Sequence, residues 1–327
     1  MFKILKHMNY VKEIKCNFKY NPDAKSSRFK SFVKEILNYD NELYEYVHRM
    51  FGYAVTGSCR EQKLFVLQGQ GSNGKSMLMD AICYTIGDYH GLFPVTTILK
   101  SFQSAGQPTP ELVPLINKRL AYCSELKADN AINDAVIKQL TGGEKMLVRK
   151  MRKEFAQVDI TFKIFLDTNF TLNFKHYDYA IERGVVIVPF KRRLEGTQKD
   201  SDLIEKLKED GEYILKWLIN GSYKYYCDGL EEPSSITNAN AEFRTSNDSI
   251  GSFTKNALET DYGNQVKSSD LYNAYLEYCK ENTFSPMDIK TFSQTLVNRG
   301  FRKKLKNAGT FFADISLIDF ATTRTTD

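Results

Sequence analysis

The chain has 327 residues, 42% of them hydrophobic and 26% charged, with a formal net charge of +5. That excludes a disordered or collagen-like chain and leaves room for a full-sized core with one or two smaller domains. Six scattered cysteines without a C-x-x-C pair, four dispersed histidines and the lack of a long apolar run argue against a disulfide framework, a zinc site and a membrane span; with no secretory leader visible, the expectation is a cytoplasmic protein with reduced thiols.

Residues 1–38 are lysine-rich and weakly patterned, and read as a loose arm or as the tail of something larger. From Asn41 to Ala54, Leu43, Val47, Met50, Phe51 and Ala54 form one apolar helical stripe, closed by Gly57. Leu64 to Leu67 then reads as a short buried strand, and beyond Lys75 the residues Met77, Leu78, Ala81, Ile82 and Ile86 recur at helical spacing. Between strand and helix, Gly69-Gln70-Gly71-Ser72-Asn73-Gly74-Lys75-Ser76 fits the phosphate-loop pattern G-x-x-x-x-G-K-S/T. Glycines let the backbone curl into a nest of N–H groups at the positive end of a helix, which suits an anion. Lys75 would reach the β- and γ-phosphates of a nucleotide and the Ser76 hydroxyl would hold Mg2+; Gly69, Gly71, Ser72, Asn73, Gly74 and Met77 complete the nucleotide contacts. The competing reading, a glycine-rich turn with a solvated lysine, does not account for the strand-turn-helix setting.

Downstream, short apolar strands alternate with helices as far as Phe190, which predicts a parallel, helix-flanked sheet. Leu120 to Cys123 is one strand, and Glu125 lies just past its C-terminal edge, where ligands of open parallel sheets bind. A carboxylate there can polarise attacking water and help hold the metal; as a structural residue it is a glutamate at a strand end. Thr161 to Leu166 is another strand, and the amide of Asn169 beyond it can orient water without adding negative charge, or serve as a turn residue. Asp167 and Thr168 are weaker candidates. Between these strands, Lys138, Lys145, Arg149, Lys150, Arg152 and Lys153 face a single acid, Glu144. Met146 to Val148 and Phe155 to Ile160 can pair as a hairpin with Arg152 and Lys153 near its tip, shaped for a phosphate backbone or simply solvated. Arg183, just before the strand Val185 to Pro189, is placed to reach a neighbouring subunit's γ-phosphate, or to pair locally with Glu182 or Asp178.

After a polar loop at 195–200 comes an amphipathic region with Leu203, Ile204, Leu207, Ile214, Trp217 and Leu218 on its apolar side, and then a Pro-, Ser- and Asn-rich stretch that reads as a linker. Two further helices follow, with Leu271, Tyr275 and Tyr278 inward on one and Ile289, Phe292 and Leu296 inward on the other. Two strands around an Asn-Ala-Gly turn close the chain's pattern. Helix, helix and basic hairpin predict a winged-helix module that presents Lys290, Gln294 and Asn298 outward, with Arg302, Lys303, Lys304 and Lys306 on the wing, or a small cap with ordinary solvated lysines. The expected divisions are 1–60 (arm and helical collar), 61–228 (motor core), 229–245 (linker) and 246–327 (winged helix).

Together these pieces resemble the superfamily 3 helicases, in the branch of phage and poxvirus primase-helicases. The likeness rests on "YEYVHRMFGYAVTG", "GQGSNGKS", "PELVPLINKRLAYCSEL", "IKQLTGGEKMLVRKM", "FLDTN", "AIERGVVIVPF" and the C-terminal "SDLYNAYLEYC…TFSQTLVNRGF", in the family's order. It implies an AAA+ α/β motor with a helical segment before it and a winged helix after it. Such motors are usually hexameric rings that use ATP and Mg2+ to draw one strand of forked DNA through a pore. It further implies a replicative role in a phage, virus or mobile element, with a primase or other replication proteins as partners. In that reading Lys75 and Ser76 take the phosphate and metal roles, Glu125 the catalytic acid, Asn169 the polar sensor and Arg183 the finger acting in trans; Lys150, Arg152 and Lys153 grip DNA. The chain departs from the pattern in having Arg183-Gly184 where the family often has two arginines, Glu125-Leu126 where some members have paired acids, and no proline after the sensor asparagine. No primase module is visible. Two other functions remain open: an origin-binding initiator whose ATP site governs assembly, and a small-substrate kinase. The latter leaves the basic hairpin and the winged helix without a purpose.

Overall fold

The structure, a computed structural model, describes residues 14–99, 110–123, 131–143, 145–149, 155–174, 177–193, 200, 202–282 and 284–318. These fall into two compact units: one reaches Thr171 and resumes over Tyr179–Asn240, and the other takes Leu172–Asp178 and the described residues from Ala241 onward.

The first unit is built on β1 (Leu64–Gln68), β2 (His90–Leu92), β3 (Leu120–Cys123), the hairpin β4 (Lys145–Arg149) and β5 (Phe155–Asp159), β6 (Lys163–Thr168) and β7 (Val185–Pro189). Five of these form one sheet in the order β2-β3-β6-β1-β7, with every neighbouring pair parallel. β3, β6 and β7 are buried along their whole length and β1 along all but its last residue, the unbroken apolar pattern that a sheet covered on both faces demands. Register aligns the strand ends: Gln68 is level with both Thr168 and Pro189, and Leu64 with Ile164 and Val185. The carboxyl ends of β6, β1 and β7 therefore share one edge. At the open side of β7, the Ile187 N–H donates to Asn240 Oδ1 at 2.8 Å, which satisfies an edge group the sheet leaves unpaired.

The longer helices of this unit are α1 (Phe29–Ile36), α2 (Asn41–Val55), α3 (Lys75–Ile86), α4 (Asp134–Thr141), α5 (Tyr179–Gly184), α6 (Leu203–Glu209) and α7 (Gly211–Asp228). Two glycines bring α2 and α7 together: a Cβ on Gly52 would lie 2.0 Å from the Gly221 backbone, and one on Gly221 would lie 2.3 Å from the His48 carbonyl oxygen. A helical glycine costs about 0.5–1 kcal/mol relative to alanine, which the close approach of two backbones offsets. Phe51 of α2 stacks on Phe165 of β6 at 5.1 Å, so this helix pair is anchored on the sheet.

Residues 14–38 are not a loose arm. Phe29, Phe32, Val33 and Ile36 of α1 are all buried, each contributing about 1.5–3 kcal/mol by leaving water. Asp210, between α6 and α7, holds the start of α1: its carboxylate accepts from the backbone N–H groups of Ser27, Arg28 and Phe29 at 2.6–2.8 Å. The stretch read as a linker also differs, since it carries the helix α8 (Ser234–Asn247), and the boundary between units falls inside that helix. Its polar composition disguised a short apolar set, Ile236, Ala239 and Phe243, all of them buried.

The second unit contains α9 (Ser249–Ala257), α10 (Ser268–Glu281) and α11 (Ile289–Asn298) with β8 (Leu258–Lys267), β9 (Arg302–Lys306) and β10 (Gly309–Leu317). The strands form an antiparallel sheet in the order β8-β10-β9. Tyr275 and Phe292 stack at 4.5 Å in its core. The two helices and the hairpin stand where the sequence predicts them. β8 was not expected, because its residues are mostly exposed and its ladder breaks between Thr260 and Gln265. Ile289 is 45% exposed rather than inward: it follows the Asp288 cap as the first residue of α11, ahead of the turn that packs.

Candidate functional site

β1 ends at Gln68 and α3 begins at Lys75. In the turn between them Gly71, Ser72 and Gly74 take φ values of +85°, +47° and +80°. A tight turn that mixes left-handed residues with others can point its backbone N–H groups into one concavity and so form an anion nest. A Cβ on Gly69 would lie 2.4 Å from the Phe190 carbonyl oxygen, so the loop's first position admits only glycine. The resulting cavity measures about 530 Å³, and Gly71 through Met77 all line it.

Lys75 is 3% exposed. Its ammonium donates to the Gly69 carbonyl at 2.9 Å, to Asn73 Oδ1 at 3.0 Å and to Asn169 Oδ1 at 3.1 Å. The Ser76 hydroxyl donates to Asp167 Oδ2 at 2.8 Å, and the Tyr122 hydroxyl donates to the same oxygen at 3.2 Å. Asp167 Oδ1 lies 3.5 Å from the Lys75 ammonium. Burial lowers the Lys75 pKa while Asp167 works against that shift. Burial also raises the pKa of Asp80 at the cavity rim, with Lys208 opposing and Asp167 adding to it.

This donor set fits a triphosphate with Mg2+. Backbone N–H groups and a buried ammonium face the cavity, and a hydroxyl sits beside a carboxylate. Among the described residues no group of three His, Cys, Asp or Glu is placed to hold a metal ion. Mg2+ does not require one, because it is usually bound through one or two carboxylates together with substrate phosphates and water.

Asn169 lines the same cavity as the phosphate loop, brought there by the parallel register of β6 with β1. Asp167, which sequence reasoning placed among the weaker candidates, shares its face of the strand by alternation and lines the same cavity. Its signal was a carboxylate two positions before the asparagine at a strand's carboxyl end. Glu125 lies outside the described residues. Arg183 sits at the opposite edge of the sheet, two residues before the start of β7, roughly 16 Å away by five residues of strand rise. It is exposed, and its guanidinium donates to Gln62 Oε1 at 3.0 Å.

The basic hairpin is present: β4 and β5 pair antiparallel from Lys145 with Asp159 to Arg149 with Phe155. Lys145 is exposed, whereas Lys150, Arg152 and Lys153 lie outside the described residues. In the second unit Lys290, Gln294 and Asn298 are exposed. Arg302 is ion-paired with Asp314, and the Lys303 ammonium donates to Ser293 Oγ at 2.9 Å, tying β9 to α11.

Residues 245–322 match a family described as Poxvirus D5 protein-like, and residues 67–183 match a family of unknown function, DUF5906. A protein of Acanthamoeba polyphaga mimivirus is 29% identical over 81% of this chain, and one of Invertebrate iridescent virus 6 is 28% identical over 55%. A third, from Sputnik virophage, is 23% identical over 77%. All three carry provisional helicase names, and the chain spans only 30%, 19% and 34% of their respective lengths. Two structures of the NrS-1 C-terminal region cover 91% of the chain at TM-scores of 0.51 and 0.52 and 14% and 12% identity, covering 79% and 77% of those chains; they share the fold. These matches bear out the resemblance to the phage and poxvirus primase-helicase type, and the mixed α/β fold around a parallel sheet. Among the described residues no helix is long and apolar enough to cross a membrane.

Proposed function

We propose that this chain, related to viral helicases of the phage and poxvirus primase-helicase type, is the ATP-hydrolysing core of a ring-shaped DNA helicase. The observation that carries the reading is the separation of two cations across one sheet. Lys75 is buried in the phosphate-loop cavity, while Arg183 stands at the far edge, out of reach of that cavity. An arginine so placed stabilises transition-state charge only at a neighbour's nucleotide, so a complete site takes two protomers.

With nucleotide bound, Lys75 would exchange its three oxygen partners for the β- and γ-phosphates, and the Ser76 hydroxyl, now bonded to Asp167, would help hold Mg2+. Asn169, released from Lys75, orients the attacking water, and Glu125 accepts its proton. Bound Mg2+ supplies charge neutralisation across the phosphates. The hairpin bearing Lys145, Arg149, Lys150, Arg152 and Lys153 follows the backbone of single-stranded DNA. The second unit acts as a winged helix that meets duplex DNA through Lys290 and the β9 wing, where Arg302 and Lys303 also brace the module. The protein works in the host cytoplasm.

Strand displacement on forked duplexes of each tail polarity, with and without ATP and alongside native mass, tests the reading. ATP-dependent unwinding by an oligomer is expected. ATP-dependent DNA binding without unwinding would replace it with an origin-binding initiator, and full ATPase activity in a strict monomer would remove it.

A further inference from the structure

We infer that Asp167 supplies the carboxylate of the Mg2+ site from β6, in place of a second acid on β3. The inference rests on the proposed nucleotide site and adds a metal-positioning residue to it.

In phosphate-loop enzymes the metal is held by the loop's serine or threonine together with an aspartate. Here the only carboxylate oxygen hydrogen-bonded to the Ser76 hydroxyl, among the described residues, is Asp167 Oδ2 at 2.8 Å. β3 carries no acid within Leu120–Cys123. Its contribution at this point is Tyr122, whose hydroxyl donates to Asp167 and fixes that carboxylate's orientation. Topology favours the substitution. β6 pairs directly with β1, with Asp167 level with Leu67, whereas β3 lies one strand further out. A carboxylate at the end of β6 therefore reaches the loop with a shorter side chain than one on β3 would need.

Charge gives the second argument. Asp167 is 9% exposed, and the Lys75 ammonium at 3.5 Å is the nearby cation that balances it. A triphosphate that engages Lys75 takes that cation away and sets its own negative charge against the buried carboxylate. A buried charge without a partner is costly. A divalent ion held by Ser76 and Asp167 would offset part of that negative charge, so the same carboxylate that attracts Mg2+ would resist metal-free nucleotide.

The test is the Mg2+ dependence of binding of a fluorescent ATP analogue to the full chain, compared with Asp167→Asn, which keeps the shape and removes the charge. In the unmodified protein Mg2+ should tighten analogue binding. In Asp167→Asn the apparent Mg2+ affinity should weaken by about 10–100-fold, while metal-free binding stays the same or tightens. Asp167→Cys provides a second readout: it should lose the Mg2+ effect and recover one with Cd2+, because thiolate prefers the softer ion. An unchanged Mg2+ dependence in both variants, with nucleotide still bound, overturns the assignment of Asp167 alone. Absence of analogue binding by every form at any Mg2+ concentration overturns the nucleotide reading and this assignment with it.

Discussion

The two edges of the central sheet are made differently. At the carboxyl edge, Lys75 and Asp167 are 3% and 9% exposed, and they and their neighbours are bonded to one another. At the amino edge, the Arg183 guanidinium is exposed and bonded to a glutamine side chain. Buried charges must be satisfied within the fold, because leaving one unpaired costs several kcal/mol. An exposed guanidinium carries no such constraint and is available to another molecule. One edge satisfies its buried charges within the single chain, and the other leaves a guanidinium exposed at the surface.

The strongest test of that contrast is Lys75→Ala, which should take ATP turnover to background while circular dichroism and thermal melting show an intact fold; retained turnover would remove the nucleotide site from the carboxyl edge. Next, Arg183→Ala should leave ATP binding within about twofold and lower kcat by roughly 10³-fold. Mixing it with Glu125→Gln should restore part of the turnover, because one interface then holds an intact pair; no mixing effect would show that the amino edge does not act across subunits.

Asp210→Ala, at neither edge, should cost about 2–4 kcal/mol by urea unfolding, since it strands the N–H groups at the start of α1. Burial alone would raise the Asp210 pKa, but the N–H donors of Phe29, Ser27 and Arg28 outweigh it and hold the group below its ordinary 3.8. Because the native pKa is the lower one, this stabilisation is present above pH 3.8 and is lost as pH falls through the native value. The acid limb of the stability curve should therefore flatten in Asp210→Asn. The smallest effect belongs to removing the charges of Arg152 and Lys153, which should weaken single-strand binding by about tenfold and reduce its salt slope. An unchanged slope would detach the hairpin from DNA.

Most of the carboxyl edge was readable because it is local. Glycine spacing, the Lys75-Ser76 pair and the flanking strand and helix all lie within a short contiguous segment, and the backbone there has few alternatives. The hairpin and the two helices of the second unit were readable for the same reason. Asp167 was harder: its position two residues before Asn169 was visible, but its value depends on β6 being the immediate neighbour of β1. α1 was hidden because its helical face is short and its cap, Asp210, stands about 180 residues away in the chain. β8 escaped because a strand whose residues are mostly exposed carries little apolar alternation.

By itself, then, the sequence determined the phosphate loop, the alternation of strands and helices and the identities of its candidate polar residues, since each follows from backbone sterics or side-chain period within a few turns of chain. Only the tertiary structure decided that β6 lies against β1, that Ser76 faces Asp167 and that Arg183 occupies the edge opposite Lys75. Strand order and register are set by which distant apolar surfaces bury each other best, and that choice has no local mark in the chain.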